Sequence, residues 1–261
     1  MQDVLTRTPP PADVRLAYGS DPNQFGDLRL PKPEAGKDAA PNLVPAVLMI
    51  HGGYWRAKYD LMHAGHLCAA LATAGIATFN LEYRRVGNAG GSWPGTFEDI
   101  RNGMRFLYEI AAKYKLDRRR IAVMGHSAGG QLALALAAHQ PQMKAAIALA
   151  GVLDLQRAWE LHLSNDAVVE FLGGTPEQVQ EHYKEASPML LTVPKIVRQV
   201  LIHGAKDEVV PPSFSRDYNA RKEKTETVKL IEPPNAGHFE LIDPEAKEWK
   251  TVLGAVKDAL A

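Results

Sequence analysis

IAVMGHSAGGQLALALAA, residues 121–138, sets an apolar run, a glycine-flanked serine and an Ala/Leu-rich stretch end to end. A short apolar run, then turn residues, then apolar helix formers reads as strand, turn and helix. G-x-S-x-G at that junction, here Gly125 to Gly129, is the pattern of a nucleophile elbow: a strained turn that lifts the Ser127 hydroxyl above the edge of a sheet. The glycines are required because the serine's unusual dihedrals crowd its neighbours, and a Cβ there would clash. The helix that follows points its partly positive end at the place where negative charge would develop. The simpler reading makes Ser127 only the N-cap of that helix, its hydroxyl satisfying a backbone N–H.

Outward from the elbow, further apolar runs lie at 46–50, 76–81, 145–150, 199–204 and 227–232, beside 121–125. Helical patterns fit between them near 60–74, 96–115, 128–139, 212–222 and 243–260. Strands that alternate with helices and carry continuous apolar runs build a mostly parallel sheet flanked by helices on both faces. Before Pro45, "DVRLAYG" and "GDLRLP" alternate apolar and polar residues and predict two short antiparallel strands. Residues 152–196 hold no clean strand and far exceed an ordinary connection, so they are expected to form a small helical cap within a single domain spanning 1–261.

Composition narrows the function. Lys plus Arg equals Asp plus Glu at 30 each, so no net field points to nucleic acid. No apolar run approaches a membrane span, and the N-terminus has no signal-type apolar region, which together predict a cytoplasmic protein; the residues do not choose between monomer and homodimer. The single cysteine, Cys68, sits in an Ala/Leu-rich segment and is expected to be a core residue.

A serine at neutral pH needs a base to become a nucleophile. Of nine histidines, His238 in "NAGHFELID" follows the last apolar run and precedes the terminal helical pattern, with small residues before it that permit a tight loop. In the chain order serine, acid, histidine, that is the place of the base. His51 and His203 precede glycines at strand ends and are expected to bond loop backbone. His126 should point away from Ser127, although it is close enough to be counted with Tyr54 and Trp55 among substrate-contacting candidates. His63 and His66 lie three apart, lack a third ligand for a metal, and are expected to be solvated or packed. For the acid, Asp207 follows the run at 199–204, and a carboxylate there can fix the imidazole tautomer. Asp154, after the run at 145–150, is the alternative; Glu208 should face elsewhere.

Attack on a carbonyl puts negative charge on oxygen, and backbone N–H groups can meet it only where side chains are absent. "IHGGYW", residues 50–55, supplies such a place at the end of the third predicted strand. Gly52, Gly53 and Tyr54, with the N–H of Ala128, are the candidate oxyanion donors, and Tyr54 and Trp55 begin a wall for the substrate. The alternative is a glycine turn with both aromatics in the core.

With "HGGYW", "GHSAGG", "GAKDEVVP" and "NAGHF" in this order, the chain from about Asp13 onward resembles the α/β-hydrolase superfamily. Within it the similarity is to hormone-sensitive-lipase-like carboxylesterases and to the kynurenine formamidase (arylformamidase) group. Lipase-like members carry H-G-G-G, whereas Tyr54 stands fourth here and H-G-G-x-W matches the formamidase loop better. The resemblance implies a serine hydrolase with Ser127, Asp207 and His238 as triad, no metal or organic cofactor, and a small ester or amide as substrate. Hydrolysis of an N-formyl aryl amide is the alternative chemistry. A non-catalytic relative that binds a small molecule is the alternative of another class.

Overall fold

The computed structural model describes residues 4–32 and 43–261; Pro33 and Pro41 of the early proline cluster lie outside them. Eight strands form one sheet: β1 (Val14–Ala17), β2 (Phe25–Arg29), β3 (Val44–Ile50), β4 (Ala77–Leu81), β5 (Leu116–His126), β6 (Ala145–Leu149), β7 (Arg198–Ile202) and β8 (Val228–Ile231). Their order is β1-β2-β4-β3-β5-β6-β7-β8. β1 and β2 pair antiparallel, as does β2 with β4, while every pair from β4 to β8 is parallel. The antiparallel edge is where the sequence alternates polar and apolar residues, and the parallel centre is where it is continuously apolar.

Alternate side chains of a strand enter opposite layers. Val47 and Met49 of β3 join the core beneath α1 (Gly65–Thr73) and α8 (Trp249–Leu260). Leu48 and Ile50 join the larger core beneath α2 (Gly95–Ile110), α3 (Ala128–His139) and α7 (Ser213–Lys222). α3 is apolar on every side because it is covered on every side: residues 128–137 are all buried between the sheet and the segment above it. Cys68 is buried in α1, and burial pushes its thiol up to about 12, so it is a packing residue.

Residues 152–196 carry three short helices, α4 (Leu155–Glu160), α5 (Ala167–Leu172) and α6 (Gln180–Ala186), and no strand. Two boundaries differ from expectation. β5 begins at Leu116 because "LDRRR" continues the strand after a register shift between Val44↔Leu116 and Ala46↔Ile121; its charged, exposed residues hide it from a search for apolar runs. α8 starts at Trp249 and not 243, because Asp243 accepts the Glu245 N–H (3.0 Å) and pairs with Arg7 (2.5 Å), which holds that stretch in turns. Among the described residues no helix is long and apolar enough to cross a membrane.

Candidate active site

Parallel strands end at one edge of the sheet, and in open α/β sheets ligands bind outside those carboxyl ends. β3 delivers residues 51–55 there, β5 delivers Ser127, β7 delivers Asp207 and β8 delivers His238.

Ser127 sits at φ 56°, ψ −119°, a conformation rare for any residue with a side chain. Its backbone is fully engaged: the N–H donates to Leu149 C=O (2.8 Å), and the carbonyl accepts from Gly130 (2.9 Å), Gln131 (3.3 Å) and Val152 (3.3 Å). The hydroxyl caps nothing, so the N-cap reading fails and Oγ is left for chemistry. The tightness that holds this strain needs bare neighbours: a Cβ at Gly129 would lie 2.2 Å from Ile50 O, and one at Gly125 would lie 2.0 Å from Gly129 O. Residues in such conformations cost about 1–3 kcal/mol each and persist where the surroundings fix them.

His238 and Asp207 meet. His238 Nδ1–H donates to Asp207 Oδ2 at 2.7 Å, which leaves Nε2 with its lone pair. Asp207 Oδ1 accepts the N–H groups of Val209 (2.9 Å) and Val210 (2.8 Å), and His203 Nε2 lies 3.3 Å from Oδ2. Burial pushes this carboxylate upward, yet the bonds from His203, His238 and Val210 outweigh it and hold its pKa far below the ordinary value. Ser127, Asp207 and His238 are all buried, at 2%, 6% and 5% exposure, so charge developing among them is weakly screened. Among the described residues the Ser127 hydroxyl has no hydrogen-bond partner; contacts of this kind tighten when substrate arrives.

Asp154 is spent elsewhere. It is the N-cap of α4, accepting the Arg157 N–H at 3.1 Å. Glu208 is exposed.

In the 51–55 loop, Gly53, Tyr54 and Trp55 take φ values of 113°, 52° and 57° in succession. The N–H groups of Gly52, Gly53 and Tyr54 donate to no carbonyl among the described residues, and that of Ala128, at the first turn of α3, has no helical partner. Free donors on a rigid, strained loop are what an oxyanion requires. Two aromatic anchors hold the strain. Tyr54 OH donates to Val209 C=O (3.5 Å), tying the loop to the acid's own turn. Trp55 Nε1–H donates to Gln131 Oε1 (2.9 Å), and its ring stacks on Phe171 of α5 at 4.7 Å.

That burial corrects two expectations. Trp55, 1% exposed, is a packed pillar between α3 and α5 and offers no face to a substrate. His126, fully buried, likewise contacts no substrate: it points away from Ser127 and bonds His63 and the His238 carbonyl. Tyr54 is half-buried. His51 behaves as expected, its Nδ1–H donating to Gly52 C=O (2.7 Å), and His203 bonds Val210 C=O (2.9 Å).

The sequence reading missed what lies beneath the loop. Glu82 is buried and accepts the Leu61 and Tyr83 N–H groups (3.0 Å each) while pairing with Arg85 (2.5 Å) and lying 3.2 Å from His51. Arg85 also bonds Tyr59 C=O, and Tyr83 OH donates to His51 C=O (2.8 Å). This network braces the turn from below. Its signal was present: "LEYRR", charges set immediately after the apolar run at 76–81. Among the described residues no group of three His, Cys, Asp or Glu side chains could hold a metal ion.

The BD-FAE family matches residues 30–221. Esterase LipC of Mycobacterium tuberculosis is 28% identical over 88% of this chain and 60% of its own length. Esterase LipQ of the same organism is 26% identical over 87% of this chain and 56% of its own. The chain therefore spans little more than half the length of these relatives. A solved structure described as a truncated form of carbohydrate esterase from gut microbiota superposes with a TM-score of 0.81 at 21% identity, covering 97% of this chain and 99% of that one. The likeness establishes the fold, the α/β-hydrolase fold that the motifs anticipate.

Proposed function

This chain belongs to the BD-FAE family, and from that premise we propose that it is a serine carboxylesterase acting on small carboxylic esters. The supporting observation is the 2.7 Å His238–Asp207 contact at the same sheet edge as a serine whose backbone is strained and whose hydroxyl caps nothing. The names of the two esterase relatives point the same way.

In this reading Ser127 Oγ attacks the ester carbonyl while His238 Nε2 takes its proton. The carbonyl oxygen, now negative, is met by the free N–H groups of Ala128 and of the Gly52–Tyr54 turn, each worth about 3–4 kcal/mol in such sites. Collapse expels the alcohol, which receives the proton from His238. Water then enters, gives a proton to the same nitrogen, and attacks the acyl-serine; Ser127 leaves with that proton. Asp207 stays ionised throughout, fixing the Nδ1–H tautomer and stabilising the imidazolium. Every step is carried by side chains and backbone amides.

A fluorophosphonate probe should label the wild type and not Ser127→Ala, with p-nitrophenyl acetate turnover lost in parallel. Absence of labelling in the wild type would place the chain among non-catalytic relatives. Trp55 is buried, so the H-G-G-x-W spacing expresses packing and gives no preference between ester and formamide. N-formylkynurenine run beside esters of increasing acyl length separates the two chemistries.

A further inference from the structure

We infer that His63 and His126 are positioning residues for the base, a neutral imidazole pair that fixes the backbone of His238. The inference rests on the reading of His238 as the base.

A chain of hydrogen bonds runs behind the site. His126 Nε2 lies 3.0 Å from His238 C=O, and His126 Nδ1 lies 2.7 Å from His63 Nε2. A carbonyl can only accept, so His126 must carry its proton on Nε2. Its Nδ1 is then bare and must accept, so His63 carries its proton on Nε2. That leaves His63 Nδ1 bare, and this atom is buried with no hydrogen-bond partner among the described residues. With both rings neutral, this is the one proton arrangement that satisfies both hydrogen bonds.

The surroundings maintain that state. Burial, then the neighbouring His51 and His238, pushes His63 down to about 3; burial, then His238 and His63, holds His126 well below its ordinary value. Phe239 stands edge-on to His238 (5.0 Å, 90°) and beside His126 (6.0 Å) and His63 (6.4 Å), shielding all three. Protonating His126 would set its Nδ1–H against the His63 Nε2–H across the 2.7 Å contact, and protonating His63 would put an N–H with no acceptor on its buried Nδ1. Either would also place a cation beside the imidazole that must itself accept a proton.

The pair also lies beside the other two parts of the site. A Cβ at Gly52 would fall 3.0 Å from His126 O, 3.1 Å from His63 Nε2 and 3.1 Å from Ser127 Cβ. The turn at Gly52, the elbow and the histidine pair are therefore packed too closely to admit a methyl group between them. A misplacement of about 1 Å in such a constellation can cost on the order of 100-fold in rate. Because the strut acts on His238 and not on the substrate, its loss should appear in kcat with KM little changed.

The experiment compares His126→Leu, which removes the donor to His238 C=O, with His126→Gln, whose amide can reach the same position. Steady-state turnover of p-nitrophenyl acetate is read beside the downfield NMR proton of His238 Nδ1–H bonded to Asp207. In folded His126→Leu, kcat should fall at least about tenfold with KM within about twofold, and the His238 proton should broaden or shift. His126→Gln should recover most of both. Wild-type kcat together with an unchanged His238 resonance in folded His126→Leu overturns the inference. Should that variant not fold, His63→Leu against His63→Gln decides: kcat and resonance must suffer in the first and recover in the second, and wild-type behaviour in both overturns it. If the wild type itself neither turns over esters nor labels with fluorophosphonate, the esterase reading fails, and the NMR comparison alone still decides the strut.

Discussion

His63 makes a sharp thermodynamic test because its burial has a sign and a size. In the unfolded chain it titrates at its ordinary value of about 6.5. In the folded protein it is pushed down to about 3 by burial and by His51 and His238. Between those values the unfolded chain binds a proton that the folded chain refuses, so stability rises with pH across the window. Acidification from pH 7.5 leaves this contribution untouched until about 6.5, then costs about 1.4 kcal/mol per pH unit, or about 2 kcal/mol by pH 5. For a chain of this size that corresponds to a Tm lowered by about 4–8 °C. Asp207 adds no slope there, since its depressed carboxyl is ionised in both states above about pH 5. His126 also disfavours its charged form, but it is common to wild type and to His63→Gln. The glutamine keeps a donor for His126 and cannot ionise. Thermal melts of both proteins at pH 7.5 and pH 5 isolate His63: the wild type should lose about 4–8 °C more than the variant. Equal losses would mean that His63 is either accessible to protons in the folded state or not where the hydrogen bonds put it.

Asp207→Asn should remain folded and lose about 10³–10⁴-fold in kcat, because the amide cannot hold the Nδ1–H tautomer; an unimpaired variant would remove Asp207 from the mechanism. Asp154→Ala should do the reverse, lowering stability by about 1 kcal/mol through loss of the α4 cap while leaving kcat within about twofold, as urea titration and turnover together would show. Gly52→Ala should reduce kcat sharply with little effect on KM, since its Cβ presses on Ser127 and on the histidine pair; an active variant would show that the turn can yield. Trp55→Phe should lower stability by about 1–3 kcal/mol through the unpaired Gln131 acceptor, with no change in acyl-length preference, and a shifted preference would return Trp55 to the substrate wall.

Much of this protein is written locally. The elbow at 125–129 is fixed by five consecutive residues, because a strand-to-helix turn with a strained serine tolerates only glycine at its crowded positions. The parallel centre of the sheet and its antiparallel edge follow from continuous versus alternating apolar residues, since burial on two faces or one is a property of each strand's own sequence. Asp207 and His238 were legible by order along the chain, though Asp154 stood in a similar place after a strand.

The tertiary structure gives those two carboxylates different partners: Asp154 caps its own helix, and Asp207 bonds a histidine in a loop 31 positions later. It also buries Trp55 against Gln131, joins His126 to the His238 carbonyl, and gives His63 a partner 63 positions away. Hydrophobic periodicity says that a side chain is buried but not beside what. Hydrogen bonds are short and directional, so the role of a buried polar group is settled only when elements distant in the chain have packed and its partner is in reach.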